Sequence, residues 1–359
     1  MLCLCLPTTS ARPGRPSARA ARVPVCLIGD IDKGGVIASL VGTQSVLSCE
    51  DAELIKGFLI NKFRGDPRLF DDGVRAIEEE TGWPCLGVIP WLKATALLPA
   101  EDAVTLERAA PSKPGILKIA APMLSRIANF DDADPLRLEP GVSFEWVPPG
   151  QPIPRDTDVV ILFGTKSTIG DLAFLREQGW DHDIVAHARA GGRVLGICGG
   201  YQMLGYSIDD PDGYDGDPAC VRGLGLLNVE TVMTREKTVT PAQGKCAQSG
   251  HDIDGYEIHV GETKGGDTER PFAILRGQPE GARSADGRIQ GTYLHGTFAA
   301  DAFRGAWLKS MGLQGESGVN YQTDVEAALD ALADGVEEAV DIDALFDLAA
   351  EPALIIRTP

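Results

Sequence analysis

Gly192-Arg-Val-Leu-Gly-Ile-Cys-Gly-Gly-Tyr-Gln-Met-Leu-Gly205 is the stretch that decides the fold. An apolar run, Val194 to Ile197, stops at Cys198. Two glycines follow, and Tyr201, Met203 and Leu204 then start a helix-like pattern. The pattern predicts a strand, a sharp turn and a helix, with Cys198 at the corner. Small residues at Gly196, Gly199 and Gly200 let the backbone turn there without a Cβ clash. Such a corner lifts the sulfur clear of the sheet. It also aims the first free N–H groups of the helix at whatever the sulfur attacks, and these favour a thiolate and an oxyanion alike. This is the nucleophile elbow written with Cys in place of Ser. A lone Cys at a strand end is more often a buried apolar side chain; the glycine frame and the strand-to-helix switch reverse that expectation.

Working outward, Gly291-Thr-Tyr-Leu-His-Gly-Thr-Phe298 is a short β-like run that presents His295 between small residues. A Cys at one strand end and a His at another meet in space although they are distant in sequence. Val159 to Phe163 reads as a strand that breaks at Gly164-Thr-Lys-Ser-Thr168. That loop either supplies a second oxyanion N–H, from Gly164 or Thr165, or is a plain strand-to-helix turn. Leu172 to Gln178 and His182 to Ala190 read as helices. Ile116 to Ala121 reads as a strand, and Ser125 to Leu136 as a polar loop. From Leu224 onward β-like segments dominate, and Tyr256-Glu-Ile-His259 alternates as a strand should. His259 either lines the site or has a structural role.

Upstream lies a second unit. Val23 to Ile28 is a buried-strand run ending in Gly29-Asp-Ile-Asp-Lys-Gly-Gly35. Two carboxylates, Asp30 and Asp32, with glycines at the carboxyl end of a strand suit phosphates and Mg²⁺. The alternative is a polar turn capping a helix that starts near Val36. Ile55 to Ile60 is a second strand, and Asn61 at its end either reads a purine edge or forms an ordinary turn. Phe70 to Thr81 is an amphipathic helix and Cys85 to Ile89 a third strand. Alternating strands and helices imply a parallel sheet with right-handed crossovers. Three strands are too few for a sheet covered on both faces, and no Gly-x-x-x-x-Gly-Lys-Ser/Thr loop occurs. Ala302 to Met311 and Asp324 to Leu348 close the chain as helices.

The 359 residues suggest two domains of ordinary size, and 43% hydrophobic residues suffice for real cores. No apolar run is long enough to cross a bilayer. The net charge of −19 argues against a nucleic-acid partner, which needs a basic face. Acid concentrated near Glu337, Glu338, Asp341, Asp343 and Asp347 reads as a solvated helix face. Eight cysteines without paired Cys-x-x-Cys spacing give neither a disulfide framework nor a zinc site, and no metal ligand set is assigned. A reducing cytoplasm fits best. Residues 1–24 carry Arg, Pro, Ser and Ala, and the first acid is Asp30. The composition suits a transit peptide, but Pro13 and Pro16 would break its helix, and a misassigned start fits as well.

The elbow Gly196-Ile-Cys-Gly-Gly-Tyr-Gln-Met-Leu-Gly205 resembles glutamine amidotransferase domains with a Cys nucleophile. With Asp30-Ile-Asp-Lys-Gly-Gly-Val-Ile-Ala-Ser39, Gly57-Phe-Leu-Ile-Asn-Lys-Phe-Arg-Gly65, Ile127-Ala-Asn-Phe-Asp-Asp132, Gly164-Thr-Lys-Ser-Thr168 and Gly255-Tyr-Glu-Ile-His-Val-Gly261, it resembles the cobyric acid synthase family from about Val23 onward. The resemblance implies an α/β chain: a partial P-loop-type parallel-sheet domain followed by a class I glutamine amidotransferase-like domain. The expected boundaries are an unstructured leader at 1–24, a remnant of the ATP-binding synthetase domain at 25–108 and a linker at 109–115. The amidotransferase domain follows at 116–349 and a tail at 350–359. Cys198 would attack the glutamine amide and form a thioester, and His295 would protonate the departing ammonia and activate water. Amides near Gly199 and Gly164 would hold the oxyanion. Ammonia would then amidate the b, d, e and g carboxylates of adenosylcobyrinic a,c-diamide, activated with ATP and Mg²⁺; Asp30, Asp32 and Asn61 are the candidates on that side. Partners would be glutamine and a corrinoid. Where many amidotransferases carry a Glu two residues after the His, this chain has Thr297, so a Cys–His dyad is expected. The P-loop of the family is missing, which implies a truncated front. It leaves as the alternative function a stand-alone glutaminase or an inactive amidotransferase-like binding module. Weak ATP binding, or none, is expected.

Overall fold

A computed structural model describes residues 23–98, 114–315 and 318–349. Most of the expected leader, the first five positions of the expected linker and the whole tail lie outside these residues. The described chain divides into two compact units, one formed by 23–98 with 325–349 and the other by 114–324.

The first unit contains β1 (Val25–Asp30), α1 (Val36–Val46), β2 (Ile55–Phe63), α2 (Asp71–Thr81) and β3 (Cys85–Pro90). The strands form a parallel sheet in the order β1-β2-β3. Val25, Leu27, Phe58 and Ile60 point to one face, where they pack with Val36, Leu40 and Ile77 of the two helices. Cys26, Leu59, Leu86 and Ile89 point to the other face. Their cover comes from the end of the chain: Val336 and Ala339 on helix Tyr321–Ala339, Ile342 and Leu345 on helix Ile342–Asp347, and Val340 between the two.

Two expectations are thereby corrected. The amidotransferase unit does not run to residue 349, because from Val325 on the chain belongs with the first sheet. Nor are three strands too few to be covered twice. The C-terminal helices turn an apolar stripe to the sheet while the neighbouring carboxylates Glu337 and Glu338 face outward, exposed as an amphipathic helix requires. Gly87 fixes the contact. Its φ is 152°, and a Cβ there would lie 2.1 Å from the Ala339 carbonyl oxygen.

The second unit is built on a six-stranded sheet. Its strands are β4 (Leu117–Pro122), β6 (Val142–Val147), β7 (Val159–Leu162), β9 (Arg193–Ile197), β16 (Ala282–Arg283) and β17 (Ile289–Thr292), in the order β16-β17-β9-β7-β4-β6. All pairs but β16–β17 are parallel. Strand β6 escapes the sequence reading, although Val-Ser-Phe-Glu-Trp-Val alternates as an edge strand does. A short pair, β5 (Ile127–Ala128) with β8 (Gly164–Thr165), lies inside what reads as loop. Helices α3 (Thr168–Glu177), α4 (Trp180–Arg189) and α5 (Gly199–Leu204) follow β8 and β9. A mostly antiparallel sheet is appended in the order β11-β10-β12-β13-β18, from β10 (Ser207–Asp210), β11 (Ala219–Arg222), β12 (Glu230–Cys246), β13 (Asp252–Lys264) and β18 (Leu294–His295). Short strands β14 (Ala273–Leu275) and β15 (Gln278–Glu280) extend it, and α6 (Asp301–Ser310) closes the unit.

Candidate active site

Three neighbouring parallel strands end side by side. Leu162 of β7 stands beside Gly196 of β9, and Ile197 of β9 beside Thr292 of β17. The next residues in each strand, Phe163-Gly164, Cys198 and Tyr293, therefore share the carboxyl edge of the sheet, where α/β proteins place their sites. Cys198 lies on the middle strand. His295 follows three residues after Thr292, on β18.

Cys198 has φ 54° and ψ −113°, outside the ordinary regions for an L-residue. Its N–H donates to the Thr292 carbonyl at 2.8 Å, and α5 begins at the next residue. The corner needs its glycines: a Cβ on Gly200 would lie 2.0 Å from the Leu162 carbonyl oxygen, and one on Gly196 2.6 Å from that of Gly200. Gly164 sits where the two catalytic candidates meet. A Cβ placed there would be 3.4 Å from His295 Cε1 and 3.6 Å from Cys198 Cβ. One on Gly199 would lie 3.4 Å from the Thr165 nitrogen. The structure thus brings together Cys198, His295, Gly164 and Gly199.

Asp132 completes the cluster, and the sequence reading gave it no role. His295 Nδ1 is 2.6 Å from Asp132 Oδ2, and the Gly296 N–H donates to Asp132 Oδ1 at 2.6 Å. Both side chains are buried. The expected dyad is therefore a Cys–His–Asp triad in geometry. Thr297 stands where an orienting Glu would sit, but the carboxylate comes from the polar segment after β5. Nothing local to 125–136 separates Asp132 from Asp131 or Asp134; the only usable signal is a short acidic run between two apolar segments. The ring of Tyr256 stacks on His295 with centroids 5.4 Å apart, and Asn129 Nδ2 donates to the Tyr256 hydroxyl at 3.3 Å.

The electrostatics favour a charged imidazole. Burial pulls His295 down, but the hydrogen bond and charge of Asp132, with the Cys198 sulfur close by, push it up to about 10. The thiol proton itself goes elsewhere: Cys198 Sγ donates to the Ile258 carbonyl at 3.2 Å. His295 Nε2 is left buried without a hydrogen-bond partner. A buried nitrogen without a partner, next to a half-buried sulfur, is ready to exchange a proton with a third molecule.

Strand β8 is also anchored. Asp171, fully buried on α3, accepts from Ser125 Oγ and Thr165 Oγ1, each at 2.5 Å, and from the Arg126 N–H. Beside the cluster, His259 stacks on Tyr293 at 4.1 Å and lines a cavity of about 350 Å³ with Glu257, Thr263, Lys264 and Glu280. His259 Nδ1 lies 3.4 Å from Glu257 Oε1, so the histidine both lines the cavity and is paired with an acid in it.

A family model described as a CobB/CobQ-like glutamine amidotransferase domain matches residues 118–303, and one described as a CobQ/CobB/MinD/ParA nucleotide binding domain matches 8–106. A cobyric acid synthase of Hyphomonas neptunium is 62% identical over 335 residues, covering 93% of this chain and 68% of that protein. The chain belongs to the cobyric acid synthase family. Another member, from Mesorhizobium japonicum, is 55% identical over 332 residues, covering 92% of this chain and 67% of its own. Among solved structures, a glutamine amidotransferase aligns over 55% of this chain at 18% identity and a TM-score of 0.40. The family resemblance, the two-part α/β fold and the amidotransferase character expected from the sequence are borne out.

In the first unit, Asp30 is the last residue of β1 and Asp32 follows in the turn, while Asn61 lies within β2, which runs on to Phe63 instead of ending at Ile60. Asp30 caps the short turn at Ile31–Lys33 by accepting from the Asp32 N–H, and pairs with Lys62 at 2.9 Å. Asp32 pairs with Arg64 at 2.6 Å, and the Arg64 guanidinium lies 3.7 Å from the Trp91 ring centroid. The segment forms a polar turn before α1, and the N-cap residue of that helix is Gly35, with no side-chain cap. Among the described residues no group of three or more His, Cys, Asp or Glu side chains could hold a metal, and no helix is long and apolar enough to cross a membrane.

Proposed function

We propose that the chain releases ammonia from glutamine at Cys198 and uses it to amidate a corrinoid carboxylate. The acceptors we assign are the b, d, e and g carboxylates of adenosylcobyrinic a,c-diamide, in an ATP- and Mg²⁺-dependent reaction. The observation that carries the first half is the convergence of Cys198, His295 and Asp132 at one sheet edge. The second half rests on family membership.

The chemistry follows from the arrangement. Cys198 Sγ gives its proton to His295 Nε2 and, as the thiolate, adds to the side-chain amide carbon of glutamine. The carbonyl oxygen becomes an oxyanion beside the Gly199 N–H, at the positive end of α5, and the amides of Gly164-Thr165. His295 protonates the leaving nitrogen as the C–N bond breaks, which frees ammonia and leaves a γ-glutamyl thioester. Water then attacks the thioester, losing a proton to His295, and glutamate departs as the sulfur regains its proton. Asp132 keeps Nδ1 occupied, so that Nε2 is the nitrogen that works.

For ATP, the residues present fit a nucleotide at the sheet edge: Lys62 and Arg64 can pair with phosphate, Asn61 with a base or ribose, and Asp30 or Asp32 with a phosphate-bound Mg²⁺. Bound there, ATP would supply the activation of the acceptor carboxylate. With Cys198 partly exposed and five further free cysteines among the described residues, a reducing compartment, the cytoplasm, is the proposed location.

Glutamate release from glutamine by the full chain tests the first half. Cys198→Ala is expected to abolish it, and an electrophilic glutamine analogue should add its mass to Cys198 alone. Unchanged hydrolysis by Cys198→Ala would overturn the assignment.

A further inference from the structure

Glu280 on β15 is buried, lies outside the triad, and spends both carboxylate oxygens on the segment that joins the two halves of the site. Its Oε2 accepts from Thr292 Oγ1 at 2.7 Å, and its Oε1 accepts from the Tyr293 N–H at 2.6 Å. Thr292 is the junction. Its carbonyl accepts from the Cys198 N–H at 2.8 Å, and its hydroxyl accepts from the Leu294 N–H at 3.1 Å, one residue before His295. The Tyr293 hydroxyl in turn bonds with Thr263 at 2.5 Å and Gln202 Nε2 at 3.2 Å, and Gln202 lies on α5, the helix that follows Cys198. A single carboxylate thereby holds the strand end to which both the strained cysteine and the histidine are tied.

We propose that Glu280 is a positioning residue for glutamine hydrolysis, fixing the separation of Cys198 and His295 through Thr292 and Tyr293. The inference rests on reading Cys198 and His295 as nucleophile and acid–base. Two independent features support it. The ionised carboxylate accepts both bonds at once; protonation at Oε2 makes that oxygen a donor, and the bond is kept only if the Thr292 hydroxyl, which already accepts from the Leu294 N–H, reverses its role. Ionisation is also delicately set here: burial pushes Glu280 up to about 7, against the two hydrogen bonds that lower it. The groups that face it across the cavity are Glu257, His259, Glu262 and Lys264 of β13, with Tyr201 of α5 and Tyr293. Glu257 adds to the upward push. Burial pushes His259 downward, against the charge of Glu257. Asp267, in the short helix next to β15, is paired with Arg270.

The test is steady-state glutamine hydrolysis by the full chain as a function of pH. The wild type should lose kcat as pH falls through about 7. Glu280→Gln should lower kcat about 10- to 100-fold at pH 8, change KM little and remove that acid limb. Thr292→Val should lower kcat and move the limb upward, because Glu280 loses a donor; Thr292→Ser, which keeps the hydroxyl, should recover most of the rate. Thermal unfolding separates positioning from bulk stability. Glu280 is raised in the folded state, so wild-type stability declines as pH rises from the ordinary carboxylate range through about 7. Glu280→Gln removes that decline and should be no less stable than wild type at pH 8 although it is slower. Wild-type kcat in Glu280→Gln, or a lowered kcat with the acid limb unmoved, overturns the proposal. If that variant does not fold, unchanged kcat and limb in Thr292→Val overturn it. A dead Cys198→Ala with a wild-type-like Glu280→Gln sinks only this inference; an active Cys198→Ala sinks the reading beneath it.

Discussion

At the scale of the residue, the site depends on an imidazole held in one orientation by a carboxylate 163 positions away in sequence. Asp132→Asn keeps the shape and removes the charge. The amide can present a donor to Nδ1 and so select the wrong tautomer. Loss of such an orienter costs about 10²- to 10⁴-fold in turnover, and glutamine hydrolysis by Asp132→Asn should fall within that range. The folded-state imidazole is raised above its ordinary value, so its stabilising share is complete below the unfolded value. It is lost as pH rises through about 10. In Asp132→Asn the His295 ring signals should titrate lower, and the stability loss on the alkaline side should shift down with them. A variant whose ring titration and turnover both match the wild type would show that the carboxylate plays no part in setting the charge.

At the scale of the element, the two-residue strand β8 is too short to hold itself. Its pairing with β5 is supported from below by Asp171, whose oxygens face only donors: Ser125 Oγ, Thr165 Oγ1 and the Arg126 N–H. Asp171→Asn replaces one acceptor oxygen by an N–H₂, so a hydroxyl must reverse its role or the Arg126 N–H loses half of its bifurcated bond. A buried mismatch of this kind costs roughly 2–3 kcal/mol. The same change frees the amides of Gly164 and Thr165 from their place opposite Gly199, so kcat should fall about 10²-fold with KM less affected. Chemical denaturation and glutaminase kinetics on one preparation would check both. Loss of stability without loss of kcat would separate β8 from the oxyanion role. The elbow itself was legible at this scale, because Gly196, Cys198 and Gly200 are neighbours in sequence and the turn is a local event. Strands β5 and β6 were less so: one is two residues long, and the other has a period-2 pattern of only six.

At the scale of the whole molecule, the end of the chain belongs to the beginning. The face of the first sheet formed by Cys26, Leu59, Leu86 and Ile89 is covered by helices more than two hundred residues further on. Val340 sits at the centre of that contact, 7% exposed and bridged to Gly87. Val340→Ala should destabilise the first unit by about 1–2 kcal/mol, read as faster amide exchange in β3. Glutamine hydrolysis in the second unit should stay at the wild-type level, since every group assigned to it lies between 118 and 303. Unchanged protection of β3 with impaired hydrolysis would contradict this division of labour.

The sequence by itself determined what is written in consecutive residues: the strand–Cys–helix corner, the alternation of strands and helices, and the residue types on each strand end. Steric exclusion at glycine and the periods of buried side chains act over a few positions, so they leave a local record. The tertiary structure alone decided which carboxylate orients His295, which acid clamps Thr292, and which helices cover the first sheet. Each of those depends on parallel strand register and on burial, and these arise only when segments distant in the chain are brought edge to edge.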